Sequence, residues 1–324
     1  MLELEHYKRS FVEHLKSKVI TRKPQHLYDP ITYILGLGGK RLRPILVLMS
    51  ADIFGGGREK AMDAALAIEI FHNFSLVHDD IMDDAPIRRG QPTVHEKWDI
   101  NTGILSGDAM LIMAYQCFED YDVSYFKSLT QLFSKTAIEV CEGQQYDVDF
   151  EEREDVTIGE YLKMIEYKTA VLVGAALKMG AIVSDTSEVV QNKIYEFGRL
   201  LGIAFQIQDD YLDTFGDQAV FGKQIGGDII ENKKTYLYLK ALECSNANSA
   251  DQLRHLFTIN PENPTNKIET AKQIFVNSGA EQATKEKIKE FTQLAFDQLE
   301  HIDISKEGKE DLKRFGTNLI NRKM

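Results

Sequence analysis

Two segments of this 324-residue chain gather carboxylates in a pattern able to hold divalent cations. In FHNFSLVHDDIMDDAPIRRG, residues 71–90, an apolar helix-like run leads into Asp79, Asp80, Asp83 and Asp84, with Pro86 as the stop. In FQIQDDYLDTFGD, residues 205–217, Asp209, Asp210 and Asp213 repeat the spacing just before Gly216. On a helix ending at Asp84, Asp79 and Asp83 lie one turn apart, as do Asp80 and Asp84, so all four cover one sector of the last turn. Each like-charged pair there costs roughly 0.2–0.5 kcal/mol, and the negative helix end adds a similar penalty per charge. One such turn reads equally well as an exposed acidic helix end. Two copies on two apolar helices point to a use for the charge. Hard oxygen donors with no His or Cys among them suit Mg2+, which keeps several waters and is completed by substrate phosphates.

An anionic substrate calls for cations nearby. Arg88 and Arg89 follow the first cluster within a short turn, and arginine can grip phosphate oxygens bidentately. Lys223 and Lys233 follow the second cluster, flanking GGDIIENK. Upstream, GLGGKRLRP, residues 36–44, offers Gly38 and Gly39 for close backbone approach and Lys40, Arg41 and Arg43 for charge. It is not a Walker loop, because no GK[ST] is present. Taken singly, each cation reads as a solvated surface residue; together they frame the acidic clusters.

Composition excludes several classes. A net charge of -12 argues against a nucleic-acid binder, which needs a basic stripe to neutralise phosphates. Cys117, Cys141 and Cys244 lie far apart, giving neither a disulfide framework nor a zinc pattern, which fits a reducing, cytoplasmic setting. The start, MLELEHYKRSF, is charged where a signal peptide is apolar. The longest apolar run, AVLVGAALKMGAIV, is too short to span a bilayer and contains Lys178.

Apolar residues recur at three- and four-residue spacing throughout, which predicts an all-α chain, residues 1–324 forming one large helical bundle with a central active-site cavity. Pro44 suits a first helical turn, and Gly55–Gly57 should end that helix. Thr157 and Glu160 form a capping box before YLKMIEYKTAVLVGAALKMG, with Gly180 as the expected stop. Polar breaks fall near 185–188, 216–228 and 245–265, the last reading as a linker.

GGKRLRP, DDIMDDAPIRRG, YKT, FQIQDDYLD and GKQIGGDIIENKKT, in this order across roughly residues 35 to 240, resemble the trans-isoprenyl diphosphate synthases, the polyprenyl synthetase family. The resemblance implies a Mg2+-dependent prenyltransferase joining isopentenyl diphosphate to an allylic diphosphate, with about three Mg2+ ions in the loaded site. It implies Asp79, Asp83 and Asp209 as direct metal ligands, with Asp80, Asp210 and Asp213 as ligands or their supports. Arg88, Lys168 and Lys233 would cradle the allylic diphosphate, with Lys223 near it. Lys40, Arg43, His72 and Arg89 would hold isopentenyl diphosphate without metal, and Thr169 and Gln206 would face the reacting carbons. Phe74 and Ser75, with Phe71 a turn earlier, would limit the product to C15 or C20. The family is typically homodimeric, and Arg322 and Lys323 are candidates to fold over the second substrate.

Spacing bears on some of these roles independently. His72 lies seven residues before Asp79, nearly on its face and about 10 Å below it, and Gln206 shares the sector of Asp209 and Asp213. By residue type alone His72 is an ordinary core histidine, and Lys168 a lysine snorkelling from an apolar helix. Phe74 sits about 140° round from Asp79, so by spacing Phe71 and Phe74 are a core stripe. Three other readings share parts of the pattern. A class I terpene cyclase pairs one DDxxD with an Asn/Asp-Ser/Thr-Glu site, but here the second site is another DDxxD and Lys40 and Arg43 are present. A non-catalytic partner subunit could lose ligands, yet every motif is intact. The third is a helical scaffold that binds cations without turnover.

Overall fold

Helical periodicity is realised almost without interruption in a computed structural model that describes residues 2–216 and 225–321. Among the described residues the only strands are β1 (Ile87–Arg88) and β2 (Gln91–Pro92), paired antiparallel. The fold class is all-α, as expected. The chain forms two compact units, one up to Thr136 plus Ala175–Tyr195, the other Ala137–Gly174 plus Glu196 onward.

The first unit holds α1 (Leu2–Lys18), α2 (Gln25–Gly36), α3 (Leu42–Ile53), α4 (Arg58–Met82), the ribbon, α5 (Val94–Lys97) and α6 (Ile100–Gln116). It also takes parts of α7 (Val123–Glu152), α9 (Val171–Val183) and α10 (Glu188–Phe215). At its core, α4 buries Ala61, Ala64, Ala65 and Ala67 with Ile68 and Phe71, and packs against α3 and α6. Small residues let the axes approach. On α6, a Cβ added at Gly103 would lie 2.8 Å from Ile81 Cδ1, and one at Gly107 2.2 Å from His78 Nε2. These glycines, one turn apart, seat α6 against the last turns of α4, the stretch that carries the aspartates.

Pro44 is the third residue of α3, where its missing N–H is no loss, and Gly55 and Gly57 turn the chain at φ 78° and 80°. Gly180, expected as a helix stop, instead lies inside α9. Its missing Cβ is a packing requirement: an added one would sit 2.4 Å from Val47 O on α3. The expected end of α4 at Asp84 is also corrected. The helix stops at Met82, Asp83 caps it, and Asp84 takes the left-handed conformation at φ 49°. Ala85 N then donates to Asp80 O at 2.9 Å and Asp84 N to Ile81 O at 3.4 Å. This is a Schellman closure, with aspartate where glycine is usual.

The second unit holds the remainder of α7, α9 and α10 with α8 (Ile158–Ile165), α11 (Gly227–Ile230), α12 (Tyr236–Cys244), α13 (Ala247–Leu256), α14 (Thr265–Asn277), α15 (Ala280–Glu300) and α16 (Lys306–Ile320). The Thr157–Glu160 capping box opens α8 as expected. The helical run then widens into a π turn, Glu166–Ala170. Two glycines press helices onto that turn. A Cβ at Gly143 of α7 would lie 2.2 Å from Lys168 N, and one at Gly202 of α10 2.7 Å from Ala170 Cα. The stretch 245–265, expected as a linker, contains α13, capped by Asn246, whose side chain accepts from Ser249 N at 3.0 Å. Leu253 and Leu256 anchor it in the core. No helix among the described residues is long and apolar enough to cross a membrane.

Candidate active site

In the first unit the α4 tip separates its aspartates by role. Asp80 turns inward, 1% exposed, while Asp79 is half-buried and Asp83 exposed. The ribbon after the tip aims two arginines. Its turn places Arg89 and Gly90 at φ 53° and 74°, the left-handed pair a two-residue hairpin requires. Arg88 thereby reaches back to Asp80, its Nε donating to both carboxylate oxygens at 2.8 Å, and its Nη2 lies 3.6 Å from Asp79. Burial pushes the Asp80 carboxyl up and Asp79 adds to that, while Arg88 opposes both.

Arg89 points the other way, donating to Gly38 O at 2.7 Å. A Cβ at Gly39 would lie 3.2 Å from the Arg89 guanidinium carbon, so the glycine loop lets backbone and arginine meet. Lys40 is exposed on this loop. Arg41, counted among the loop's charges in sequence, is withdrawn instead: it is buried, paired with Glu69 and bonded to Leu35 O. Arg43 Nη1 lies 3.1 Å from His72 Nε2. A guanidinium only donates, so Nε2 accepts and the ring is neutral. Burial, then Arg43, Arg89 and Arg88, hold the His72 pKa well below its usual value. Arg43, His72, Arg89 and the glycine loop thus form a cationic cluster, and the buried carboxylate beside it, Glu69, is already paired with Arg41.

This has a pH signature. An unfolded histidine binds its proton near pH 6.5, whereas buried His72 does so only well below that. In that window the folded state holds fewer protons, so His72 makes stability fall as pH drops. His72→Gln keeps an acceptor and cannot titrate. Its melting temperature should decline less steeply than wild type between about pH 7 and 5; identical slopes would mean that His72 titrates as if exposed.

The second unit contains a cavity of about 130 Å³ lined by Asp147, Lys168, Thr169, Gln206, Asp210, Asp228 and Lys233, among others. A polar chain runs through it. Thr169 Oγ1 donates to Gln206 Oε1 at 2.9 Å, Gln206 Nε2 to Asp210 at 2.8 Å, and Tyr161 OH to the other Asp210 oxygen at 2.6 Å. The Gln206 amide is therefore fixed in one orientation. Lys168, carried on the π turn, is tied to Asp147 at 2.5 Å. Asp213 accepts from Asp228 N at 2.9 Å and pins α11, while Asp209 is half-buried one helical turn earlier. Lys233 N donates to Asp228 O at 2.8 Å, and its Nζ lies 3.5 Å from Glu231. Burial pushes both Asp210 and Asp228 up; Asp209 and Asp213 add to the first against the hydrogen bonds from Tyr161 and Gln206, and Asp210 and Asp213 add to the second. Crowded carboxylates of this kind need compensating positive charge. Lys223, Arg322 and Lys323 lie outside the described residues.

A model of the family described as Polyprenyl synthetase matches residues 24–275. The chain belongs to the polyprenyl synthetase family. It is similar to a geranylgeranyl diphosphate synthase of Methanosarcina mazei, at 44% identity over 68% of this chain and 69% of that one. With a geranylgeranyl diphosphate synthase of Saccharolobus solfataricus it shares 38% identity over 90% and 89%. A crystal structure of a geranylgeranyl pyrophosphate synthase superposes with TM-score 0.95 at 55% identity, covering 99% of each chain. The chain is accordingly an enzyme, a prenyl diphosphate synthase.

In this synthase the residues upstream of the first motif pack closely. Phe71, 1% exposed, meets Phe133 edge to face at 5.2 Å, and Phe74 lies against His78 at 4.8 Å. Ser75 Oγ donates to His72 O at 2.9 Å. Several site residues escaped the sequence reading. Tyr161 and Asp147 carried no motif, since Tyr161 is an apolar-face residue and Asp147 sits in an acidic stretch that looks solvated. Asp228 lay inside GGDIIENK, and that position was its only signal.

Proposed function

We propose that this synthase is Mg2+-dependent and condenses isopentenyl diphosphate head to tail with dimethylallyl, geranyl or farnesyl diphosphate. The products are a C15 or C20 trans-prenyl diphosphate and diphosphate. One observation supports this: α4 carries two chemically different groups, a histidine joined to arginine and, towards its end, a cluster of carboxylates. His72, joined to Arg43 beside Arg89, offers cations whose neighbouring carboxylate, Glu69, is paired with Arg41, whereas two turns on, about 10 Å away, Asp79 and Asp83 offer only hard oxygens. A reaction of two diphosphates, one metal-bound and one not, needs such a pair. The donor set fits Mg2+ and gives no soft ligand that would favour zinc.

Asp79, Asp83 and Asp209 are the direct ligands in this reading, with Asp80, Asp210 and Asp213 held by Arg88, Tyr161 with Gln206, and the Asp228 amide respectively. Mg2+ bound there supplies positive charge against the departing diphosphate. Arg88, Lys168 and Lys233, with Lys223 near them, would donate to the same oxygens and lower the barrier to C–O ionisation. Lys40, Arg43, His72 and Arg89 hold isopentenyl diphosphate so that its double bond meets the allylic carbon, beside Thr169 and Gln206. No side-chain base stands out among the described residues, and the released diphosphate takes the proton.

Residues 1–324 act as one domain, and the enzyme works as a cytoplasmic homodimer. Ile104, Leu105 and Ile112, exposed apolar residues of α6, support a partner on that face. Phe74 closes the chain-length pocket, so Phe74→Ala lengthens the product by at least one isoprene unit; an unchanged distribution moves the stop elsewhere. Incubating the protein with Mg2+, radiolabelled isopentenyl diphosphate and each allylic diphosphate tests the whole reading. Elongation lost on chelation is expected. Cyclised product, or none, would favour a cyclase or a non-catalytic subunit.

A further inference from the structure

We propose that Asp84, His95 and Glu96 form a second metal site, of mixed nitrogen and oxygen donors, for a divalent transition-metal ion such as Zn2+ or Co2+. His95 is the unusual residue. It follows β2 on α5 and is 8% exposed, yet neither ring nitrogen has a hydrogen-bond partner. Buried polar atoms without partners are costly and uncommon in folded proteins. The side chain is almost fully enclosed, 4% exposed, with α6 beside its base, where a Cβ at Gly103 would lie 3.8 Å from His95 Cβ.

His95 Nε2 faces two carboxylates, Asp84 Oδ1 at 4.0 Å and Glu96 Oε1 at 3.9 Å, and the three donor atoms lie within 4.8 Å of one another. Those distances are too long for hydrogen bonds. They are close to what an ion requires, since donors about 2.0–2.2 Å from one metal are themselves about 3–3.5 Å apart. Closing the gap takes on the order of 1–2 Å, and the parts able to move are the right ones. The Asp84 side chain is 97% exposed and that of Glu96 half exposed, so both can rotate, while the imidazole stays fixed.

Donor chemistry separates this site from the α4 tip. An imidazole with two carboxylates favours zinc, cobalt or nickel, whereas Mg2+ selects oxygen and keeps its waters. Only one ring nitrogen faces the carboxylates, so a single ion is accommodated, with water completing its shell. Its role is positional. Asp84 is the left-handed residue closing α4, and α5 follows the ribbon that bears Arg88 and Arg89. Tying Asp84 to His95 closes the segment that aims both arginines.

The test is titration of the metal-stripped full-length protein with Co2+ under saturating Mg2+, without substrate, read by the visible absorption of bound cobalt. Wild type should bind one equivalent. Asp84→Asn and Glu96→Gln, both at exposed side chains, should weaken binding by roughly tenfold or more, and His95→Gln should remove it. Asp79→Asn should retain it. No cobalt band in wild type, or equal binding in Asp84→Asn and Glu96→Gln, would overturn the site. So would loss of the band in Asp79→Asn with the other variants unaffected, because the ion would then sit on the catalytic aspartates. Because Asp84→Asn and Glu96→Gln bury nothing new, a folding failure of His95→Gln leaves the result decidable.

Discussion

Asp79→Asn and Asp209→Asn each lower kcat by on the order of 10³-fold or more, with the helical circular dichroism unchanged. Asparagine keeps the shape and removes one negative oxygen, so the effect reads charge and metal affinity. The neighbours make these two positions the informative ones. Asp80 is buried under bidentate contact from Arg88, and Asp210 is bonded by Tyr161 and Gln206. Substituting either would disturb a hydrogen-bond network as well as a ligand set, mixing stability with catalysis. Asp79 and Asp209 are half-buried near their helix ends, Asp79 3.6 Å from Arg88, so asparagine there removes charge without emptying a fully buried position. Wild-type turnover by either variant at saturating Mg2+ would remove that aspartate from the metal site.

Gly143→Ala should be the most damaging single-methyl change in the second unit. The added Cβ would lie 2.2 Å from Lys168 N, 2.6 Å from Tyr167 C and 2.7 Å from Lys168 Cα, all backbone atoms. No side chain can rotate to relieve this, so α7 or the π turn must move by about 1 Å to reach ordinary contact. Overpacking of this kind costs about 1–3 kcal/mol, sometimes more. Asp147 lies one turn along α7 from Gly143 and holds Lys168, so the same displacement spoils the lysine's aim at the cavity. We expect a lower melting temperature and, below it, a kcat reduced by roughly tenfold or more. Gly159→Ala is the control. It sits in the first turn of α8 with its nearest atom, Thr157 Oγ1, at 3.9 Å, and should leave both quantities near wild type. Equal behaviour of the two variants would mean that the π turn tolerates displacement.

What could be read from the sequence was local. The Thr157–Glu160 box, Pro44 and the Gly55–Gly57 break each act within a few residues, and the structure carries them as expected. The pairing of Arg43 with His72, and of Thr169 with Gln206, joins residues that the family resemblance had already put at one site. What stayed hidden depends on a second element. Gly180 looked like a helix stop because glycine usually is one, yet its role is set by α3, far away in sequence. Gly103, Gly107, Gly143 and Gly202 have the same cause. The tail of α4 was read one residue pair too long because aspartate rarely takes the left-handed cap that Asp84 supplies. Tyr161 and Asp228 became visible only once their partners, Asp210 and Asp213, were in view.

In the proposed function the two aspartate motifs grip one diphosphate through shared metal ions. Crystals grown with Mn2+ in place of Mg2+, isopentenyl diphosphate and an unreactive thio-analogue of the allylic diphosphate test it directly through the anomalous signal of manganese. The expected map has Mn2+ bonded to Asp79, Asp83 and Asp209 of one chain, with a single diphosphate between them. Manganese confined to one motif, with the other turned away from the analogue, would contradict it.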